Sequence, residues 1–163
     1  MSTQSLPVAE AGRLDPEFAV AWYQRWLDAW NRPEPELVNE IVTEDFVLDS
    51  PTTRHTGWFV QGHKAAADYI RYVRGAYPDL RWDVIAPPMF AQDVKRAAFS
   101  WRGTGHFSGT LTPPGIPGTG RAFDFSGLEV FDFRDGRACY LNACYDLVGL
   151  TKQIGIYRSA GTN

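Results

Sequence analysis

The chain of 163 residues is long enough to form one domain around a single hydrophobic core. Its formal net charge is -3 and it has no long run of Lys or Arg, which argues against a nucleic-acid-binding protein. No apolar stretch is long enough to span a bilayer, and the N-terminal residues lack the pattern of a secretory signal. We therefore expect a cytoplasmic protein with neither nucleic acid nor membrane as a partner.

The aromatic content, 14%, is high for a domain of this size, so the rings either fill a large core or line a cavity. The pattern predicts a flexible N-terminal arm over residues 1–14, a single domain over 15–157 and a loose tail over 158–163.

Three helices are predicted in the first half of the chain. Asp15-Pro16-Glu17 provides an N-cap, a first-turn proline and an acidic first turn. A shorter helix is expected from Pro35 and a third after Gly62, while residues 52–61 between them are expected to form a loop. The first helix carries four aromatic residues spaced four apart on one face: Phe18, Trp22, Trp26 and Trp30.

The hydrophobic period changes to two in the second half, which predicts antiparallel strands. Asp135-Gly136 predicts a tight hairpin turn, and the Pro- and Gly-rich residues 112–120 predict a loop. Helices grouped before strands indicate an α+β fold. The predicted strands cover residues 80–85, 93–101 continued by 104–111 past a glycine break, 121–133 and 138–148.

Several short segments, spread over residues Asp15 to Ile156, have a distinctive order and spacing. They are Ala29-Trp30-Asn31, Ala76 to Arg81, Gly103 to Gly109, Ile116 to Arg121, Phe133 to Arg137, and Tyr145-Asp146 leading to Gln153-Ile154-Gly155. With the order of the helices and strands, they resemble the SnoaL-like polyketide cyclase group of the nuclear transport factor two-like superfamily. The resemblance implies N-terminal helices packed on a curved, four- to six-stranded, mainly antiparallel sheet. This cone-shaped fold would enclose a pocket for a small, largely apolar molecule, and the chain would form a homodimer.

Two departures from the family pattern concern the pocket. The proline-rich hairpin from Thr110 to Gly120 is longer than is usual in the family, so the pocket mouth is expected to be reshaped. Leu141-Asn142 stands where the family often has a His-Trp or Glu-Trp pair, so a cyclase mechanism does not transfer directly.

Asp146 is the first catalytic candidate. It shares one face of the last predicted strand with Tyr140, Asn142 and Cys144, and the resemblance implies an acid in the pocket at this position. A carboxyl group in an apolar cavity has a raised pKa, which suits a general acid or base. The alternative is an aspartate that caps a helix or pairs with an arginine.

Three further residues are candidates for the chemistry. His106 can exchange protons near neutral pH, or it can lie half-exposed at a strand end. Arg102 can hold an enolate oxygen, or it can form an ion pair with Asp146 or Asp124. Asp124 lies between two phenylalanines and faces either the pocket or solvent.

Six residues are expected to contact a substrate from the first helix, the third helix and the last two strands. The aromatic face of the first helix can instead be ordinary core. The six residues are Trp22, Trp26, Tyr69, Asn142, Phe123 and Phe125.

No metal-binding or dinucleotide-binding motif is present, so neither a metal nor a cofactor is expected. The favoured hypothesis is a cofactor-independent acid–base enzyme that acts on a small polyketide-like or other apolar carbonyl compound, as a cyclase or isomerase. One alternative is an epoxide hydrolase in which Asp and Arg position water. Another is a domain that binds small molecules or dimerises without catalysis.

Overall fold

A computed structural model describes residues 5–32 and 34–158. Helix α1, Pro16–Asn31, begins as predicted, because the Asp15 carboxylate accepts a hydrogen bond from the backbone N–H of Phe18 at 2.9 Å. Trp22, Trp26 and Trp30 are all buried, so the aromatic face of α1 packs against the sheet.

The region after α1 is more finely divided than predicted. The helix expected from Pro35 is a short 3-10 turn followed by one helical turn, and Val42 already belongs to a strand. Ser50 and Thr53 form a capping box that starts a helix within the predicted loop. The elements are the 3-10 turn Pro35–Leu37, α2 Val38–Ile41, β1 Val42–Asp49, α3 Pro51–Thr56, β2 Val60–Gln61 and α4 Gly62–Ala76.

The main sheet of the described residues contains β1, β2 and five further strands: β3 Arg81–Val84, β4 Met89–Phe90, β5 Arg96–His106, β8 Ala122–Arg134 and β9 Arg137–Tyr145. The strand order is β2-β1-β9-β8-β5-β3, and β4 pairs with β5. All pairs in this sheet are antiparallel except β1 and β9, which are parallel. The expected α+β fold is confirmed, although the two-residue strands β2 and β4 raise the strand number above six.

Strands β5 and β8 are the longest and pair without a register shift from Arg96 opposite Asp132 to His106 opposite Ala122. The predicted break near Gly103 is therefore absent, and the glycine has a packing role instead. The Trp82 indole lies where a Cβ on Gly103 would be. This close approach brings β3 and its tryptophan onto the inner face of the sheet.

The end of β9 differs from the prediction in a way that affects the site. The β8–β9 turn is the expected Asp135-Gly136 turn, with φ values of 53° and 72°. Strand β9 then ends at Tyr145 instead of Val148, and helix α5, Leu147–Gln153, follows at once. Asp146 is the N-cap of α5, which ends the strand.

Two short strands, β6 Thr110–Leu111 and β7 Ile116–Pro117, form a hairpin within the predicted proline-rich loop. Part of the predicted N-terminal arm is hydrogen-bonded to the domain, since the Glu10 N–H donates to the Phe133 carbonyl. The first four residues of that arm and residues 159–163 of the predicted tail lie outside the described residues. Within the described chain, no helix combines the length and apolar character needed to cross a membrane.

Candidate functional site

A cavity of about 320 Å³ lies between the concave inner face of the sheet and a cover made by α3, α4, the β6–β7 hairpin and α5. Its walls are mainly aliphatic and aromatic, which is typical of small-molecule sites. Its lining includes Ser50, Thr52, Tyr69, Trp82, Trp101, Phe123, Phe125, Glu129 and Tyr145.

Glu129 is the one Asp or Glu among the described residues that line this cavity. It is on the inner face of β8, paired in register with Phe99 of β5 and Ala143 of β9. The carboxylate accepts two hydrogen bonds from α1: Tyr23 Oη donates to Oε1 at 3.0 Å and Trp26 Nε1 donates to Oε2 at 2.9 Å. These two donors fix the orientation of the carboxyl group at the wall of the cavity.

Helix geometry explains why the two donors act together. Tyr23 and Trp26 are three residues apart on α1, so their side chains project from the same face. Both are buried, and Tyr23 also stacks on Phe99 at a ring distance of 4.0 Å. Burial holds the pKa of Tyr23 well above its usual range, so the phenol stays neutral and donates its proton.

Burial raises the pKa of Glu129 to about 7, while the hydrogen bonds from Tyr23 and Trp26 act in the opposite direction. The side chain keeps some accessible surface, and this surface borders the cavity. Glu129 therefore exchanges between its protonated and ionised forms near neutral pH, within reach of a bound molecule.

A group of four hydroxyls lines another part of the cavity. The Tyr145 and Thr52 hydroxyls are 2.5 Å apart, and those of Tyr69 and Ser50 are 3.2 Å apart. Burial raises the pKa of Tyr69 well above its usual range, and the neighbouring Tyr145 phenol contributes. We call these four residues the hydroxyl cluster.

Two tryptophans form an aromatic wall between the strands. Trp82 and Trp101 pack edge to face with ring centroids 4.6 Å apart and an interplanar angle of 83°. Both indole N–H groups are buried and have no acceptor among the described residues, and they lie among aromatic ring faces and edges. Gly127 makes room for this wall, because a Cβ there would lie 2.7 Å from the Trp101 ring.

Of the residues predicted to bind substrate, three line the cavity: Tyr69, Phe123 and Phe125. The alternation along β8 explains the last two, since residues 123 and 125 project inward with Glu129. Their contact with a substrate stays a prediction.

The expected position of Asp146 in the pocket is wrong. Its side chain is exposed and accepts a hydrogen bond from the backbone N–H of Gly149 at 2.8 Å, as the N-cap of α5. Because β9 ends at Tyr145, strand alternation no longer applies at residue 146. Asp146 is therefore a helix-capping residue, which was the alternative to a place in the pocket.

The other three catalytic candidates also lie outside the cavity. Arg102 and Asp124 form a bidentate ion pair on the outer face of the sheet, with N–O distances of 2.8 and 2.5 Å. Both side chains are more than half exposed, so this pair is a surface contact. His106 is bound through Nδ1 to the Asp79 carboxylate at 2.6 Å, and this contact lowers the pKa of Asp79.

Three of the predicted substrate contacts do not line the cavity either. Trp22 is core, and its indole N–H donates to the Ile41 carbonyl at 2.9 Å. Trp26 is fully buried behind Glu129. Asn142 is on the outer face of β9, where its side-chain oxygen accepts a hydrogen bond from Arg54 at 3.1 Å.

Glu129 was not among the predicted catalytic residues, although the sequence carried a signal for it. The period-two alternation of β8 places Glu129 on the same side as Phe123 and Phe125. A single acidic residue on an otherwise apolar strand face is costly unless it is hydrogen-bonded or functional.

Solved structures with the same architecture support the fold assignment. TsrD from Streptomyces laurentii has a TM-score of 0.74 and 22% identity, covering 88% of this chain and 99% of that one. A proposed SnoaL-like polyketide cyclase from Jannaschia sp. CCS1 has a TM-score of 0.72 and 19% identity, covering 96% and 100%. At identities this low, the similarity shows a shared fold and not a shared function.

A third structure, from Catenulispora acidiphila DSM 44928, is a hypothetical protein with a ketosteroid isomerase-like fold in complex with trimethylamine. Its TM-score is 0.66 at 14% identity, covering 83% of this chain and 93% of that one. No curated protein sequence matches the chain significantly. The family model described as a SnoaL-like domain matches residues 23–141, most of the chain. The chain therefore belongs to the SnoaL-like domain family.

Proposed function

We propose that this protein is a cofactor-independent acid–base enzyme of the cyclase or isomerase type, acting on a small, largely apolar carbonyl compound. The observation that carries the proposal is Glu129: a carboxyl group with a pKa of about 7, held by two donors and bordering an apolar cavity. A general base is most effective when its pKa is near the working pH.

In the proposed reaction the Glu129 carboxylate removes a proton from the carbon next to the carbonyl group. The C–H electron pair forms the C=C bond of an enolate, and the carbonyl oxygen takes the negative charge. In an isomerisation, the protonated Glu129 returns the proton to a different carbon. In a cyclisation, the enolate carbon attacks a second carbonyl of the same molecule, and the new alkoxide receives the proton.

The enolate oxygen needs hydrogen-bond donors, which typically supply the largest stabilisation in such reactions. Trp82 and Trp101 are in the wall of the cavity, and their buried indole N–H groups have no acceptor among the described residues. We propose that these side chains rotate when the substrate binds, so that an indole N–H donates to its oxygen. The cavity walls also orient a flexible substrate for ring closure.

The epoxide hydrolase alternative is less well supported by the geometry. It needs acidic side chains and an arginine that converge on one water molecule in the cavity. Arg102, Asp124 and Asp146 are all exposed and outside the cavity.

The proposed proton transfer can be tested without the natural substrate. We expect the protein to accelerate exchange of the α-hydrogens of 2-tetralone, an uncharged ketone, for deuterium in D₂O, followed by NMR. Glu129→Gln should reduce the enzyme-catalysed rate roughly 10²–10⁴-fold, the usual contribution of a general base. The rate should rise with pH through about 7, as Glu129 ionises.

Asp146→Asn is the matched control, because it removes a carboxylate outside the cavity and keeps a good helix N-cap. It should retain the wild-type exchange rate. A Tyr23→Phe variant should move the midpoint of the pH profile upward, since the Tyr23 hydrogen bond lowers the pKa of Glu129. Unchanged exchange in Glu129→Gln, or loss of exchange in Asp146→Asn alone, would contradict the assignment.

We also propose that two copies of the chain pair through the outer face of the sheet. Leu128 and Val130 alternate with Glu129 and so project outward, beside Ala98 and the 58%-exposed Met89. This apolar strip lies between the ion pairs Arg102–Asp124 and Arg96–Asp132. Such a surface suits a self-complementary interface.

A further inference from the structure

We infer that the hydroxyl cluster is a second polar subsite, which binds an uncharged oxygen at the end of the substrate remote from the reacting carbonyl. The substrate class is then an uncharged aromatic or polycyclic ketone that carries a second oxygen. The assignment of the ketone end rests on the proposed role of Glu129, whereas the assignment of the second oxygen rests on the cluster itself.

The sheet register sets the spacing between the two ends of the site. Tyr145 is paired with Gly127, two residues before Glu129 on the same face of β8. Tyr145 and Glu129 are therefore diagonal neighbours, whose backbone positions are about 7–8 Å apart. Tyr145 reaches Thr52 of α3, which packs against β1 and β9, so its hydroxyl lies on the side of β9 away from β8 and Glu129. A molecule of one or two rings spans such a gap.

The cluster has unused hydrogen-bonding capacity. A phenol hydroxyl has one donor and two acceptor positions. Among the described residues, the shortest contacts are those of Tyr145 Oη with Thr52 and of Tyr69 Oη with Ser50, and the Tyr69 phenol is also hydrogen-bonded to Tyr145 and Thr52. Each of these hydroxyls has more acceptor positions than protons, so the cluster keeps free acceptor positions after all its own protons are used. Tyr69 is only 5% exposed, so its remaining capacity is directed at the cavity and not at bulk solvent. A ligand oxygen would complete these bonds.

The charges around the cavity select an uncharged ligand. Among the described lining residues there is no Lys, Arg or Asp, and the exposed His55 is at the rim. Burial raises the pKa of both Tyr69 and Tyr77, so these phenols stay neutral at physiological pH. A carboxylate or phosphate placed here would lose its hydration without gaining a cationic partner, which is strongly unfavourable.

The space between the two polar ends is aromatic. Phe125 packs edge to face against Trp101 at 5.1 Å and against Tyr145 at 5.6 Å. Edge-to-face arrays present flat faces and positive edges that suit another aromatic ring. The cavity volume of about 320 Å³, equal to roughly ten water molecules, accommodates a small fused-ring compound.

A pair of probes tests this subsite through binding alone. We expect 6-hydroxy-2-tetralone to bind the wild-type protein roughly three- to tenfold more tightly than 2-tetralone in titration calorimetry, the worth of about one net hydrogen bond. The double variant Tyr69→Phe/Tyr145→Phe keeps the cavity shape and should bind both compounds with nearly equal affinity. 6-Carboxy-2-tetralone, which is anionic, should bind more weakly than either.

Tyr140→Phe is the matched control. Tyr140 is on the same strand as Tyr145, but its hydroxyl donates to Asp49 outside the cavity, at 3.1 Å. This variant should keep the wild-type preference. A Thr52→Val variant removes one hydroxyl of the cluster and leaves both tyrosines in place. It should reduce the preference for 6-hydroxy-2-tetralone over 2-tetralone only partly. Thermal melting of each variant checks that it folds.

The outcomes separate the subsite from the proposed reaction. If Glu129→Gln loses exchange but keeps the preference for the hydroxylated probe, both assignments stand. If Glu129→Gln keeps full exchange while the double variant loses the preference, the subsite stands and the proposed base is wrong. Equal affinity of the wild-type protein for the two probes, no binding of either probe, or an unchanged preference in the double variant overturns the subsite.

Discussion

At the scale of single residues, Glu129 shows how a fold changes the acidity of one carboxyl group. The cavity wall and the buried face of α1 exclude most water from it, which penalises the ionised form. Tyr23 and Trp26 supply two donors that partly offset this penalty. The balance places the pKa near neutrality, whereas Asp146 and Asp124 remain exposed at the surface.

The raised pKa of Glu129 has a direct consequence for stability. The ordinary value is 4.5 and the folded value is about 7, so the folded protein holds this proton to higher pH than the unfolded chain does. The free energy of unfolding should therefore fall by up to about 3 kcal/mol as pH rises from 4.5 to 7, and it should stay constant above pH 7.

Glu129→Gln should remove this part of the pH dependence. The amide oxygen of Gln can accept from Trp26, and its NH₂ group can donate to the Tyr23 oxygen once that hydroxyl turns away. Urea unfolding should show the variant close to wild type at pH 5 and more stable by up to about 3 kcal/mol at pH 8. The same stability difference at both pH values would show that Glu129 is not the titrating group.

At the scale of elements, the junction between β9 and α5 decides which acidic residue reaches the cavity. Asp146 accepts from the Gly149 N–H and ends the strand, and α5 then turns Leu147 and Leu150 toward the cavity mouth. The apolar residues before Asp146 predict a strand that continues to Val148. The strand ends at Asp146 because the first N–H groups of α5 need a hydrogen-bond acceptor, which this side chain provides.

The capping role of Asp146 predicts different effects for two substitutions. Asp146→Ala leaves the Gly149 N–H without its side-chain acceptor and should cost about 1 kcal/mol of stability. Asp146→Asn should cost much less, because asparagine is an equally good N-cap. Thermal or urea unfolding of both variants measures this. Equal loss of stability in the two would instead indicate that the negative charge of Asp146 matters.

At the scale of the whole molecule, one sheet has two different faces. The concave face carries Glu129 and the aromatic wall, and the outer face carries ion pairs around an apolar strip. Alternation along β8 produces both faces from a single strand: Phe123, Phe125 and Glu129 project inward, whereas Leu128 and Val130 project outward.

The proposed pairing of two copies predicts a change of mass on substitution of the outer face. Sedimentation should give about twice the mass of the chain for the wild-type protein. Leu128→Lys places a charge in the apolar strip and should give the single-chain mass at the same concentration. Ser126→Lys, toward the end of the same face beside the Arg102–Asp124 pair, is the milder control. A wild-type protein that sediments as one chain contradicts the pairing.

The sequence by itself determined the features that depend on neighbouring residues. The Asp15-Pro16 start of α1, the Asp135-Gly136 turn and the alternation along β8 are local signals, and the structure follows each of them. Together they indicated the α+β fold, whereas the family and the choice of Phe123 and Phe125 as substrate contacts depended on the resemblance of further segments to the SnoaL-like group.

Only the tertiary structure decided which carboxyl group is buried in the cavity. The two hydrogen bonds to Glu129 join residues 106 and 103 positions apart in the chain, so no local pattern reveals them. The parallel pairing of β1 with β9 and the hydroxyl cluster that links α3 to β9 are likewise contacts between distant segments. Burial and hydrogen bonding set the acidity of a side chain, and both depend on what the completed fold packs around it.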